Sequence, residues 1–182
     1  MKGVLFTEFL ELVEKEHGIE LLDAVISNAA PKLSTGGAYT SVGTYPHAEL
    51  LALLEALLSQ VDADLGLVLG AYANRLMAAF EKSYPDFFAQ HNELFSFLNN
   101  VEGQMHAGVR KLYPEAKPPV LDVVEQSNEL LHLSYRSHRP LSVVVEHLVR
   151  AAALRYETEI DVTTAEVNEE GTQTMLEIRK LS

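Results

Sequence analysis

The sequence predicts an α+β fold, with a helical N-terminal lobe packed on a lobe that has a four-stranded antiparallel sheet. Up to Tyr113, apolar residues recur with the 3.6-residue period of amphipathic helices. After Pro118 and Pro119, β-branched runs and alternating polarity predict strands joined by tight turns. Such turns make neighbouring strands antiparallel, and helices that are separated from strands along the chain are typical of the α+β class.

The N-terminal lobe is expected to start with two helices and a loop. The apolar stripe of the first helix is formed by Leu5, Phe9, Leu12 and Val13. Gly18 is a suitable stop signal, and residues 19–29 predict the second helix. Residues 31–45 are rich in glycine, serine and threonine, which indicates a loop.

Further helices are expected as far as the next prolines. Pro46 suits the first turn of a helix, and Asp62 is the expected N-cap of the helix after that. The predicted helical segments are residues 47–60, residues 62–82, a short helix after Ser83, and a longer helix from about Asn92 to just before Pro114.

The rest of the chain is expected to form two hairpins with a helix between them. Leu131, Leu133 and Tyr135 alternate with polar residues, as in a half-buried strand. The other predicted segments are a strand at 120–124, a turn at 126–128, a helix at 140–156, a strand from Ile160 through Val162 to Val167, a turn at 169–171 and a strand at 175–178.

Composition limits the class of protein. With 182 residues, 47% of them apolar, the chain is expected to form one domain with a substantial core. Its net charge of −12 argues against nucleic acid and anionic membranes as partners, because both attract lysine and arginine. No apolar run could span a bilayer, and Glu8 comes too early for a signal peptide, so a cytoplasmic protein is expected. The absence of cysteine excludes disulfides and cysteine-ligated metals.

No familiar catalytic motif is present. The sequence has no glycine-rich phosphate loop, no Gly-x-Ser-x-Gly and no His-Glu-x-x-His. Residues 62–66 resemble the start of a calcium loop, but the twelfth position, which needs a glutamate, is Ala73. Any chemistry is therefore expected to depend on a bound cofactor, and the alternative is a sensor.

His106 is the first candidate functional residue. Gly103 precedes it by three residues and Val109 follows it by three, so the three are expected to share one helix face. Gly103 and Gly108 each cost a helix up to about 1 kcal/mol relative to alanine. A helix that accepts both glycines beside a histidine can make room for a flat, bulky group. The alternative is a half-buried histidine that contacts nothing special.

Tyr135, Ser137 and Arg139 form the second candidate site. In an extended strand, residues two apart point to the same side and lie about 6.6 Å apart, so this row would span about 13 Å. Two hydroxyls and one guanidinium suit a ligand with two carboxylates. The alternative is a polar strand face exposed to solvent.

Both candidates fit one ligand, because haem is a flat macrocycle with a metal and two carboxylates. The sequence resembles the haem nitric oxide/oxygen binding (H-NOX) family, which includes bacterial stand-alone proteins and the haem domain of soluble guanylate cyclase. The resemblance covers essentially the whole chain. It is carried by Met1-Lys2-Gly3 with Phe6, by His106-Ala107-Gly108-Val109-Arg110-Lys111-Leu112-Tyr113-Pro114, by Pro118-Pro119 and by the row Tyr135, Ser137 and Arg139.

The resemblance implies haem b, iron protoporphyrin IX, between a helical lobe at about residues 1–62 and a haem-holding lobe at about residues 63–182. It also implies a role for each matching residue. His106 is the implied iron ligand, Tyr135, Ser137 and Arg139 bind the propionates, Pro119 presses on the haem, Leu5 and Phe9 lie on the distal side, and Gly70 lies near the distal pocket.

The resemblance further indicates which gas is bound. Ferrous haem holds O₂ poorly without a distal hydrogen-bond donor, and oxygen-binding relatives carry a tyrosine five residues after the motif arginine. Here that position is Val144, which predicts an apolar pocket that takes NO, with CO as a further ligand. Tyr72, two residues after Gly70, carries a hydroxyl that could act as a donor in this pocket and so contradict the prediction. The hydroxyl is expected to point away from the pocket.

On this resemblance, the protein is a stand-alone NO sensor and not an enzyme. NO would weaken or break the iron–His106 bond, the haem would relax against Pro119, and the two lobes would shift. Stand-alone family members are commonly paired with a histidine kinase or a cyclic-di-GMP enzyme, so a partner in trans is expected. Two alternatives remain: an O₂ carrier or haem redox enzyme that uses the same pocket, and a haem-free protein-interaction module.

Overall fold

The computed structural model describes residues 1–166, 168 and 170–181, and it confirms the α+β class. The chain divides into two compact units, Met1–Ala79 and Phe80–Ser182. The lobes expected at about 1–62 and 63–182 are defined by their role toward haem, which the division into units does not test, so they stay a prediction. Within the described residues, no helix combines the length and apolar character needed to cross a membrane.

Helices make up the first unit. They are α1 (Val4–His17), α2 (Ile19–Ala29), one 3₁₀ turn (Ala30–Lys32), α3 (His47–Leu58) and α4 (Leu65–Ser83), which continues past the end of the unit. α2 packs against both α1 and α3. Phe6, Leu53 and Ala73 are fully buried and form part of the core.

Gly18 ends α1, as the sequence predicts. Its φ is 87°, in the left-handed region that residues with a Cβ rarely adopt. Its backbone N–H donates to the Glu14 carbonyl at 2.8 Å, which satisfies one of the free carbonyls at the helix end. α2 then begins at the next residue, Ile19, and covers the predicted range.

The prediction that Asp62 is the N-cap of α4 is wrong. α4 begins at Leu65, and the Asp64 carboxylate accepts a hydrogen bond from the Leu67 backbone N–H at 3.2 Å. Both aspartates are good capping residues, but only the one directly before the first turn reaches the free N–H groups of that turn.

A buried carboxylate organises the loop between α2 and α3. Glu49 is only 2% exposed and accepts hydrogen bonds from the hydroxyls of Ser34, Thr35 and Tyr39, at 2.5, 3.4 and 2.7 Å, and from the Ser34 backbone N–H at 3.2 Å. The Tyr39 ring also stacks on Phe6 of α1, with 4.5 Å between centroids. The glycine- and serine-rich segment is therefore held in place by the two helices that flank it in the fold.

The second unit starts with short helical segments. They are α5 (Pro85–Ala89), α6 (Leu94–Asn100), a π-helical segment (Val101–His106) and α7 (Ala107–Leu112). The sequence predicts one long helix in the last part of this range. The structure confirms a helical path but interrupts the α-helix with the π segment, which no hydrophobic period encodes.

A four-stranded antiparallel sheet follows, as predicted. Its elements are β1 (Val120–Gln126), β2 (Leu130–Arg136), α8 (Ser142–Arg155), β3 (Ile160–Glu166) and β4 (Gln173–Lys180), in the spatial order β1-β2-β4-β3. α8 packs against β3 and β4. The expected strand position Val167 and turn position Glu169 lie outside the described residues.

The faces of the sheet follow the predicted alternation. Leu131, Leu133 and Tyr135 of β2 are buried, while the residues between them are half-buried. β2 pairs with both β1 and β4, so its Tyr135 is held from both sides, opposite Leu121 and Thr174. The sheet therefore fixes the backbone of one candidate site residue at the end of a central strand.

Replacing Glu49 with glutamine should remove a pH-dependent part of the stability. Burial raises the pKa of Glu49, but hydrogen bonds from Ser34 and Tyr39 outweigh burial and leave the pKa below its ordinary value of 4.5. Such a carboxyl stabilises the fold above its unfolded-state pKa, and this contribution is lost as pH falls through the folded-state pKa. Urea unfolding at falling pH should therefore show a steeper loss of unfolding free energy in the wild type than in Glu49→Gln.

A matched control for this experiment lies on the same helix. Glu55 is an exposed glutamate of α3 that pairs with Lys32, so Glu55→Gln should keep the wild-type dependence on pH. Parallel curves for the wild type and Glu49→Gln would contradict the interpretation of Glu49.

Candidate functional site

His106 is the last residue of the π-helical segment. Its imidazole Nδ1 lies 2.9 Å from Oε2 of Glu102, and its side chain is 14% exposed. Single π turns within α-helices occur frequently at functional sites. The structure thus places the predicted histidine, mostly buried, beside a carboxylate at an irregular turn.

The π geometry adds a neighbour to the histidine. In a π-helix the hydrogen bonds run from residue i to i+5, so residues four and five apart are closest on one face. The side-chain neighbour of His106 that the sequence did not predict is Glu102, four residues before it. A Cβ added at Gly103 or Gly108 would meet no atom within 4 Å, so both glycines border open space.

Glu102 is a site residue that the sequence analysis missed. Its Oε1 accepts from Arg110 Nη2 at 2.7 Å, and its Oε2 accepts from the Leu121 backbone N–H at 3.3 Å as well as from His106. One carboxylate therefore joins the π segment to α7 and to the start of β1. The available signal was the spacing of four residues between a glutamate and a histidine on one helical stretch.

The electrostatics of the pair favour a neutral imidazole. Burial lowers the pKa of His106, against the opposing effects of the Glu102 carboxylate and the Pro119 carbonyl. Burial raises the pKa of Glu102, but hydrogen bonds from His106 and Arg110 outweigh it and leave that pKa low. A neutral imidazole beside an ionised carboxylate places its proton on Nδ1, which leaves the lone pair of Nε2 for a metal.

The row of Tyr135, Ser137 and Arg139 is not an extended strand, contrary to expectation. β2 ends at Arg136, and the chain then bends. The Ser137 hydroxyl accepts the backbone N–H of Arg139 at 3.1 Å, a local side-chain turn that competes with strand geometry. The predicted spacing along the row therefore does not apply.

The three side chains of the row nevertheless stay together. The Ser137 side chain and the charge of Arg139 both act on the Tyr135 hydroxyl and lower its pKa. Burial raises the pKa of Tyr135, with these two neighbours acting in the opposite direction, so its hydroxyl is neutral and able to donate. Arg139 Nη1 also donates to the Lys117 carbonyl at 2.8 Å, two residues before Pro119.

The predicted distal residues are distributed over three helices. Leu5 and Phe9 lie on α1, Gly70 on α4, and Val144 in the first turn of α8. Phe9 is buried, and the other three are half-buried. Their roles at a haem stay a prediction.

The Tyr72 hydroxyl forms a hydrogen bond inside the first unit. The Tyr72 side chain is 3% exposed, and its hydroxyl donates to the Leu5 backbone carbonyl at 2.6 Å. Burial raises the pKa of Tyr72, and the charge of Glu8 acts in the same direction, so the hydroxyl keeps its one proton. The hydroxyl donates this proton in its hydrogen bond to the Leu5 carbonyl. The expectation that the hydroxyl points away from the distal pocket stays a prediction.

The donor set fits a haem. Across the part of the chain that the structure describes, no three His, Asp or Glu side chains are arranged to hold a free metal ion. A haem needs only one protein ligand, for which His106 is suited, since metal-bound histidines usually donate their second N–H to a carboxylate or carbonyl. Tyr135, Ser137 and Arg139 supply neutral donors and one cation of the kind that carboxylates require.

A family model described as haem-NO-binding matches residues 2–164, which defines the chain as a domain of a haem-binding class. The chain therefore belongs to the H-NOX family, whose members are haem-based gas sensors. No curated protein matches the chain in sequence.

Solved structures of bacterial H-NOX proteins resemble the chain over its full length. The Fe(II) unliganded protein of K. algicida is 32% identical, with a TM-score of 0.91 and 100% and 97% of the two chains covered. The IWP-051-bound protein of Shewanella woodyi in the Fe(II)CO state is 27% identical, with a TM-score of 0.84 and coverage of 100% and 95%. The S. oneidensis protein in the Fe(II)NO state shares the fold at 22% identity, with a TM-score of 0.87 and full coverage of both chains.

Replacing Tyr72 with phenylalanine should lower the unfolding free energy by about 0.5–1.5 kcal/mol, the usual contribution of one hydrogen bond. Urea unfolding monitored by circular dichroism measures this. Tyr156→Phe is the matched control, because the buried Tyr156 hydroxyl has no hydrogen-bond partner among the described residues. Equal stability of Tyr72→Phe and the wild type would show that the contact with Leu5 is not made.

Proposed function

We propose that this protein is an NO sensor that holds ferrous haem b through His106. The observation that carries the proposal is the buried His106 imidazole, whose Nδ1 lies 2.9 Å from the Glu102 carboxylate. Histidines that ligate metals typically donate the second ring N–H to such a partner, which fixes the tautomer and the ring orientation. The family membership supports the same role for this residue.

Tyr135, Ser137 and Arg139 would hold the two haem carboxylates. The hydroxyls are neutral donors, and the guanidinium gives a charge-assisted bond that is roughly twice as strong as a neutral one. Arg139 is half-buried and already anchored to the Lys117 carbonyl, so little side-chain entropy is lost when it binds a carboxylate. Pro119 follows in the same segment and would contact the haem face, as the family resemblance implies.

NO is the preferred gas in this proposal. Bound haem supplies a ferrous iron that takes up diatomic gases, and O₂ requires a distal hydrogen-bond donor to bind stably. The position of the tyrosine in oxygen-binding relatives is Val144, which has no donor. The Tyr72 hydroxyl donates its one hydrogen bond to the Leu5 carbonyl. The same residues would also allow CO, the ligand in the S. woodyi structure.

The output would be a change in the binding of a separate protein and not catalysis. NO can shift the protein only if it binds one conformation more tightly than the other, and His106, as the residue that would hold the iron, would supply that difference by its release. We propose a histidine kinase or a cyclic-di-GMP enzyme as the partner in trans. The net charge of −12 suits a partner surface that is basic.

Replacing His106 with glycine should leave a protein that binds haem only when imidazole is supplied. The cavity left by the side chain accepts free imidazole, which replaces the missing ligand. Absorption spectra of the reduced variant with and without imidazole measure this. A His106→Gly protein that keeps the wild-type haem content and spectrum without imidazole would refute the ligand assignment.

Replacing Val144 with tyrosine should create O₂ binding by adding a hydroxyl donor. The reduced Val144→Tyr protein is expected to give a lasting oxygen-bound spectrum in air, whereas the wild type is not. Val144→Phe is the matched control, because it adds the ring without the hydroxyl. Stable O₂ binding by the wild type or by Val144→Phe would contradict the role of the apolar residue.

A further inference from the structure

We propose that Glu102 is a positioning residue that sets how strongly His106 donates to a bound haem iron and therefore how readily NO releases it. The inference deepens the proposed function and rests on it. Its basis is a network of three hydrogen bonds to the Glu102 carboxylate. The donors are His106 Nδ1 at 2.9 Å, Arg110 Nη2 at 2.7 Å and the Leu121 backbone N–H at 3.3 Å.

A carboxylate partner changes the imidazole more than a neutral acceptor does. A hydrogen bond to an ionised acceptor is roughly twice as strong as one between neutral groups. A carboxylate that accepts a strong hydrogen bond from Nδ1–H increases the electron density at Nε2. It therefore raises the basicity of the nitrogen that would bind the metal. Glu102 is mostly buried, with 23% of its side chain exposed, so solvent screens the contact only in part.

The position of Glu102 is fixed from two further directions. The Leu121 N–H holds Oε2 from the start of β1, and the Arg110 guanidinium holds Oε1 from α7. The side chain therefore cannot swing away from His106 without losing contacts to both elements. Such an anchored carboxylate keeps the imidazole in one orientation, which is the condition for a defined metal bond.

Arg110 acts on the same bond with the opposite sign. Arg110 Nη2 lies 2.7 Å from Oε1 of Glu102, and its positive charge draws electron density from the carboxylate. The hydrogen bond that Glu102 accepts from His106 Nδ1 is weakened as a result. The Arg110 side chain is 41% exposed, so its effect is smaller than that of Glu102. The network thus contains one residue that strengthens the donor and one that moderates it.

A purely structural role for Glu102 leads to a different expectation. A carboxylate that only ties the π segment to α7 and β1 would affect unfolding free energy and leave the iron–histidine bond of the folded protein unchanged. The strength of that bond is therefore the readout that separates the two roles.

The experiment uses the full chain loaded with haem and reduced without air. Resonance Raman spectroscopy measures the iron–histidine stretching frequency, and stopped-flow absorption after NO addition measures the rate of histidine release. Glu102→Gln, which keeps the size of the side chain and removes its charge, should lower the frequency and speed release by about 10-fold, the lower end of typical effects around metal ligands. Arg110→Gln should raise the frequency and slow release.

Glu81→Gln serves as the control. Glu81 is also a glutamate of the second unit that is paired with an arginine, Arg155, but it has no contact with His106 in the network described above. It should leave the frequency and the release rate at their wild-type values. If Glu102→Gln does not fold, the iron–histidine frequency of Arg110→Gln is the test. A rise supports the inference, and an unchanged or lower frequency overturns it.

Two results would overturn the inference about Glu102 and leave the proposed function standing: haem-loaded Glu102→Gln with the wild-type stretching frequency, or a shift of the same sign in Glu102→Gln and Arg110→Gln. A wild-type protein that takes up no haem would overturn the proposed function and the inference together. Opposite shifts in the two variants, with Glu81→Gln unchanged, support both.

Discussion

The hydrogen bond between the Glu102 carboxylate and His106 Nδ1 is the interaction on which the functional part of the second unit depends. It crosses a π-helical segment, and the same carboxylate also holds Arg110 of α7 and the Leu121 N–H of β1. The imidazole is therefore connected to the sheet through one side chain and one backbone contact. A change in what His106 binds would be transmitted first to the beginning of β1, directly after Pro119.

A second set of contacts brings the other candidate residues to the same segment. Arg139 follows the bend after β2, and its guanidinium donates to the carbonyl of Lys117, two residues before Pro119. The short connection from α7 to β1 is thus held at one end by Arg139 and at the other by Glu102 through Leu121. In the proposed function, this connection would contact haem through Pro119 and would respond to the release of His106.

Local rules of the sequence were sufficient for much of this architecture. Gly18 ended α1 because only glycine easily adopts its φ, and the alternation of Leu131, Leu133 and Tyr135 gave the buried face of β2. The π segment could not be predicted, since its extra residue per turn leaves no hydrophobic period. Glu102 was missed for another reason: its spacing of four residues from His106 is also common among exposed ion pairs on helix surfaces, so the spacing alone does not single it out. The bend at Ser137 was missed because a hydroxyl competing for the Arg139 N–H is a choice between two local structures that a motif does not reveal. The roles of the site residues came from the family resemblance.

The most direct test of the central claim is the visible absorption spectrum of the purified wild-type protein. It is recorded after reduction without air, after exposure to air, and after addition of NO to re-reduced protein. A Soret band that air leaves unchanged and that NO moves to the position of haem without its histidine ligand is the predicted result. A lasting O₂ spectrum would contradict the selectivity for NO, and the absence of any Soret band after expression with a haem precursor would contradict haem binding itself.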